Sequence, residues 1–287
     1  MSGQSVFFDF GGTLCHSHPG LLPVFQEAAR RASVQIPWPE YLQANEECWD
    51  ALWPEAPAMV GRTPAFADRV HEMALRRVGF TGPTERFVRC VREEATSPRW
   101  HPPFEETEAT LRTLRGDGHS LHVISGNVDY LPVLIANLGW SGYFETVTFT
   151  QEVGVQKPDP RVFRFALERA GRAAAESIYV GDSWESDFLG ASRAGMKAVW
   201  LNRSGRPAPA PGRQIRTLRD LVPLLSDPEF SGRLRLGPGG EAPGSPPPRK
   251  RGKTVGPARK ALPSTRGASA TRSAGPGRSS PAGTADP

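Results

Sequence analysis

Short apolar runs that each end in a turn, followed by a helical pattern, constrain this chain more than any other feature. Residues 5–10 (SVFFDF), 119–124 (HSLHVI), 146–150, 177–180 and 198–202 read as buried strands. Residues 105–115, 130–137, 159–170 and 187–194 read as helices, stopped by Gly116, Gly139, Gly171 and Gly195. Strands that alternate with helices at this spacing predict an α/β fold, a doubly wound parallel sheet of the Rossmann-like kind with helices on both faces. One segment breaks the alternation. Between residues 15 and 103 the apolar positions fall at helical spacing (Leu22, Phe25, Ala29, then Phe66, Val70, Met73, Ala74, Val78). The expected organisation is therefore an α/β core at 1–14 and 104–225, with an α-helical cap domain inserted at 15–103. Its aromatics, Trp38, Trp49, Trp53, Phe66 and Trp100, are expected to be core.

Beyond residue 225 periodicity vanishes. Residues 226–287 are rich in Pro, Gly, Ser and Arg, a composition that predicts a disordered C-terminal tail. The tail also explains the charge. The net charge is +5, yet residues 231–287 hold 11 Lys and Arg against 2 Asp and Glu, leaving 24 against 28 for residues 1–230. The folded part is thus mildly acidic, which argues against a nucleic-acid partner; weak polyanion binding by the tail is the most that Arg249–Lys250–Arg251 suggests, since no aromatics are interleaved to stack bases. Cys15, Cys48 and Cys90 are odd in number and without a close pair, which fits reduced thiols better than a disulfide framework or a zinc site. Asp9 interrupts the first apolar run and no run reaches the ~18 residues of a membrane span. A soluble, cytoplasmic protein is expected; its oligomeric state is not legible.

In an open α/β sheet, ligands bind beyond the carboxyl ends of the strands, where strand order reverses. Here those ends carry chemistry. The first strand delivers Asp9, then Gly12 and Thr13; the second delivers Ser125, then Gly126 and Asn127. A loop after the third carries Lys157 before Pro158–Asp159–Pro160, and the fourth runs into Gly181–Asp182–Ser183 and on to Asp187. A carboxylate can attack phosphorus, a hydroxyl and an ammonium can hold phosphoryl oxygens, and paired acids suit a hard divalent cation.

The ordered set DxxGT, a strand ending in serine, VGVxKPDPxxF and GDSxxxD resembles the haloacid dehalogenase-like (HAD) hydrolase superfamily over about residues 5–202, with the helical insertion where small helical caps occur in that superfamily. The resemblance implies a hydrolase of phosphorylated small molecules acting through an aspartyl-phosphate, with Mg²⁺ as cofactor. It implies Asp9 as nucleophile, with Thr13 supporting its loop. Gly12, Thr13, Ser125, Gly126, Asn127 and Lys157 would hold the phosphoryl group. The metal would be held by Asp9, the backbone carbonyl of Gly11 and Asp182, with Asp187 assisting.

One position departs from the pattern. Most phosphatases of the superfamily carry a second Asp two residues after the nucleophile, as metal ligand through its carbonyl and as general acid/base through its carboxyl. Gly11 stands there and keeps only the carbonyl. The expectation is retained metal binding with weakened proton transfer, a loss of about 10²–10⁴-fold on poor leaving groups. His16 and His18 are candidate substitutes. Two alternatives follow from the same glycine: a catalytically weakened binding protein, and a metal-independent 2-haloacid dehalogenase, whose halide leaves without a proton. The intact acids of GDSxxxD count against the latter.

Overall fold

Strand β1 (Ser5–Phe8) is buried at every residue, as the centre of a parallel sheet covered on both faces demands. Its alternation sends Val6 and Phe8 to one apolar cluster and Phe7 to the opposite one. The computed structural model describes residues 3–16, 20–62, 65–126 and 129–231. His18, Asn127 and the tail from residue 232 lie outside the described residues.

After β1 come four helices, α1 (Leu21–Ala32), α2 (Trp38–Leu52), α3 (Phe66–Arg77) and α4 (Thr84–Ala95). The α/β alternation then runs α5 (Thr107–Gly116), β2 (Ser120–Ser125), α6 (Leu131–Asn137), β3 (Thr146–Phe149), α7 (Thr150–Val153), α8 (Pro160–Ala170), β4 (Ser177–Gly181), α9 (Gly190–Arg193), β5 (Lys197–Leu201) and β6 (Gln214–Ile215), closed by α10 (Leu221–Ser226) and α11 (Pro228–Ser231). The strands form one sheet in the order β3-β2-β1-β4-β5-β6, and every pairing is parallel. The doubly wound parallel α/β fold expected from the alternation is thus present. Strand order reverses at β1, so the carboxyl ends of β1, β2 and β4 flank the switch point.

Leu111 and Leu114 of α5, Leu131, Leu134 and Ile135 of α6 and Leu221 of α10 cover one face of the sheet. Val162, Phe163 and Ala166 of α8 and Ala191 of α9 cover the other. Helices α1–α4 bury a separate cluster around Tyr41, Phe66, Leu75 and Phe87, all fully buried. Trp38, Trp49, Trp53 and Trp100 pack partly buried against it. The insertion leaves and rejoins the sheet at one place: Cys15 bridges to both Gly11 and Pro103, and the His16 N–H donates to the Pro102 carbonyl at 2.9 Å.

Three local features differ from the sequence reading. Strand β6 was not anticipated, because two residues at a sheet edge are too few to show a period. The helix expected at 187–194 is a π-helical turn, Trp184–Leu189, followed by the short α9. The Asp187 carboxylate turns back to accept from the Ser183 N–H at 3.0 Å, and the Ser183 hydroxyl accepts from the Ser186 N–H at 3.1 Å; such π-turns are frequent at functional sites. Ordered packing also continues past residue 225, where Phe230 of α11 is 5% exposed in the sheet cluster.

Candidate active site

Asp9 follows β1 immediately and is buried. Its carboxylate oxygens have different partners: Oδ1 accepts from Lys157 Nζ at 2.7 Å, and Oδ2 from the Thr13 hydroxyl at 3.2 Å. Lys157 reaches in from the loop between α7 and α8 and also donates to Asp187 Oδ1 at 2.6 Å and to the Tyr179 hydroxyl at 3.0 Å. Tyr179 donates in turn to Asp187 Oδ1 at 2.9 Å. Ser125, the last residue of β2, is buried beside this group, and Lys157 Nζ lies 3.4 Å from the neighbouring Ile124 carbonyl. Gly126 follows it at the strand end.

Gly12 adopts φ +85°, a left-handed conformation, and a Cβ there would collide with the Asp182 carboxylate. Gly181 is excluded from bearing a side chain by Asp187 in the same way. These two contacts let Asp182 and Asp187 approach the loop of Asp9 to Thr13. As a result Asp9, Asp182 and Asp187 each offer a carboxylate oxygen within 4.8 Å of the others. The structure therefore brings Asp9, Gly12, Thr13, Ser125, Lys157, Asp182 and Asp187 to one sheet end. His16 also lies at this end. It packs its ring 4.0 Å from Phe104, and with Gly11 it borders a cavity of 330 Å³ facing α1–α4.

The electrostatics are unbalanced. Burial, with Asp187 and Asp182 nearby, pushes the Asp9 carboxyl up to about 7 despite the opposing Lys157 ammonium. Lys157 is held above its ordinary range: burial pulls it down, but Asp187 and Asp9 outweigh that. One ammonium among three clustered carboxylates leaves an excess of negative charge in a desolvated place. An all-oxygen set of this kind fits Mg²⁺, a hard divalent cation.

Two contributors were not found by sequence reasoning. Tyr179 reads as a strand core residue, yet its hydroxyl joins Lys157 to Asp187. Arg203, two residues beyond β5, donates to the Thr13 carbonyl at 2.9 Å and to Glu106 at 2.6 Å, and lies 3.5 Å over the Phe104 ring. It holds the loop of Asp9 to Thr13 from outside. Its place just past a strand's carboxyl end was the available signal.

A doubly wound sheet whose switch point gathers a buried Asp–Lys pair and a carboxylate triad is the setting of a hydrolase. The sequence matches the model of the family described as haloacid dehalogenase-like hydrolase over residues 4–195, and the chain belongs to that family. It is 32% identical to a phosphoserine phosphatase of Thermus thermophilus over 74% of this chain and 78% of that one. It is 30% identical to a glyceraldehyde 3-phosphate phosphatase of Methanopyrus kandleri over 70% of this chain and 84% of that one. Among solved structures, a 2-haloacid dehalogenase from Pseudomonas syringae superposes with a TM-score of 0.61 at 26% identity, covering 78% of this chain and 98% of that one.

Proposed function

We propose that the protein is a Mg²⁺-dependent phosphatase of small phosphate esters. The observation that carries this reading is the Asp9–Asp182–Asp187 cluster beside Lys157. A halide displacement needs no cation, whereas a phosphoryl dianion brought against three carboxylates does. The phosphatase relatives support the same reading.

In the proposed reaction an Asp9 carboxylate oxygen attacks phosphorus in line. The bond from phosphorus to the ester oxygen breaks, and the alkoxide or aryloxide departs. Water then attacks phosphorus of the aspartyl-phosphate, releasing phosphate and regenerating Asp9. Thr13 and Lys157 fix the Asp9 carboxylate, and Lys157, Ser125, Gly126, Asn127 and the N–H groups following Asp9 bind phosphoryl oxygens. Asp9, the Gly11 carbonyl and Asp182 would hold Mg²⁺, with Asp187 positioning Lys157 and supporting the set. When bound, the cation neutralises charge on the phosphoryl oxygens and the nucleophile. The helices of residues 15–103 act as a cap over this end of the sheet. Asp9→Asn removes the nucleophile while preserving shape; Mg²⁺-dependent phosphate release falls at least 10³-fold, and activity surviving that substitution overturns the assignment.

A second reading, displacement of halide from a 2-haloacid, draws on Gly11 and on the dehalogenase neighbour. Chloride release from 2-chloropropionate that persists in EDTA would establish it.

A further inference from the structure

The 330 Å³ cavity between the nucleophile loop and α1–α4 is separate from the anion cradle. Phe10, Gly11 and His16 border it, whereas Asp9, Ser125 and Lys157 do not. It therefore begins where the cradle ends, on the side of the loop where Gly11 stands. Resting on the phosphatase reading above, we propose that this cavity seats the leaving group of the substrate, and that this group is an uncharged aromatic alcohol, so that the substrates are aryl phosphate monoesters.

Charge is the first argument. Among the described residues none of the cavity's lining is Asp, Glu, Lys or Arg. Several of its polar groups are also already occupied. Asn45 Nδ2 donates to His71 Nδ1 at 3.1 Å, and the Tyr41 hydroxyl lies 2.7 Å from the same nitrogen. Tyr130 donates to Asp68, and His101 Nε2 donates to the Ala95 carbonyl at 3.2 Å. Burial lowers the pKa of both His71 and His101, which keeps them neutral. A carboxylate or ammonium on the leaving group would enter the part of this space walled by α1–α4 and α6 without a charged partner, at a cost of several kcal/mol. Shape is the second argument. Phe25, Trp49, Leu131 and Leu134 supply aromatic and aliphatic walls, and the volume suits one or two rings.

The chemistry of the loop is the third argument and is independent of the other two. Gly11 offers no acid to protonate the departing oxygen. A phenol ionises near 10, far below an aliphatic alcohol, so an aryloxide departs unprotonated and takes its proton from water afterwards. The acid missing at position 11 and the apolar cavity thus select the same leaving group.

The test compares kcat/KM of the full chain with Mg²⁺ on 1-naphthyl, substituted phenyl and benzyl phosphates, phosphoserine, phosphoglycolate and acetyl phosphate. Aryl esters should exceed the carboxylate-bearing esters by about 100-fold or more. Two variants narrow the cavity: Leu21→Trp at the 58% exposed rim and Ala67→Phe in the wall. Each should lower the ratio of naphthyl to acetyl phosphate efficiency about tenfold. Phosphoserine or phosphoglycolate turned over as well as the aryl esters overturns the proposal, as does a ratio unmoved by Leu21→Trp. Calorimetry with 1-naphthylphosphonate and methylphosphonate separates the two levels. If no ester is hydrolysed but the naphthyl compound binds at least tenfold tighter, the phosphatase reading fails and the cavity assignment stands; equal binding of the two overturns the assignment.

Discussion

Replacing Gly11 with Asp should create a faster enzyme on poor leaving groups. A Cβ built at Gly11 meets no atom within 4 Å, and the backbone there is not left-handed, so the side chain enters without strain. Its carboxyl would stand at the border of an apolar cavity and close to the three existing carboxylates. Gly11 is exposed, so the like charge of those carboxylates is what favours the protonated form, the form that donates to a departing oxygen. General acids contribute about 10²–10⁴-fold, equivalent to about 3–5 kcal/mol off the barrier at 1.36 kcal/mol per tenfold. The gain belongs to benzyl phosphate, whose alkoxide needs a proton, and not to 4-nitrophenyl phosphate, whose leaving group departs without one. The assay is kcat/KM for both esters in wild type, Gly11→Asp and Gly11→Asn, the last matching shape without an acidic proton. A folded, Mg²⁺-binding Gly11→Asp that gains nothing on benzyl phosphate refutes the reasoning. So does an equal gain on both esters, or one shared by Gly11→Asn.

Mg²⁺ without substrate should stabilise the fold by relieving the crowded carboxylates, by about 2.7 kcal/mol at 100 times its Kd; Asp182→Asn should abolish that shift in thermal unfolding, and an undiminished shift would place the ion elsewhere. His71 links stability to pH. Burial lowers it from 6.5 to about 4, so between those values the unfolded chain binds a proton that the native chain does not, and stability falls as pH drops. The loss between pH 7 and 5 is about 2 kcal/mol, and denaturant unfolding of His71→Gln should show a pH dependence smaller by that amount; an unchanged dependence would remove His71 as its source. Gln151 is fully buried, accepts from the Asp129 N–H at 3.0 Å and donates to the Ala56 carbonyl at 3.1 Å, tying the insertion to the sheet loops. Gln151→Leu orphans both groups at about 1–3 kcal/mol each, read by unfolding midpoint, and a midpoint within a few tenths of wild type would mean that water replaces both bonds.

The fold was legible because a parallel sheet must be apolar along whole strands and must return through helices, and both signatures are local. Ser5–Phe8 and Ser177–Gly181 show it in sequence as plainly as in space. Asp9, Lys157 and Asp182 were legible for a related reason: each lies at or just beyond a strand end or in an adjoining loop. The partners of these residues were not. Nothing local distinguishes Tyr179 from Ile178 or Val180 as a strand residue, and its role arises only because Lys157 and Asp187 arrive from other segments. Arg203 lies 190 residues from Thr13, whose carbonyl it holds, a distance over which no periodicity carries information. The cavity was hidden most completely. Its walls come from β1's exit, α1–α4 and α6, and the residues that make it apolar are ordinary helix-face residues, read as core before their shared surface was known.

Gly11 and the apolar cavity are better understood as one arrangement than as a defect beside an accident. An Asp at position 11 would place an ionisable carboxyl on the border of a space that offers it no described charged partner. The like charge of Asp9, Asp182 and Asp187 would raise its pKa, which helps proton donation, but its polarity would also weaken the seat for an apolar ring. Gly11→Asp should therefore move the two kinetic parameters in opposite directions on an aryl ester: kcat little changed, because the aryloxide needs no acid, and KM raised, because the ring meets a polar wall. On a benzyl ester kcat should rise. On the proposed reading, a glycine at this position trades reach across leaving groups for affinity toward one class of them. The opposed responses of kcat and KM separate this reading from simple impairment, which predicts that restoring the acid improves every substrate alike.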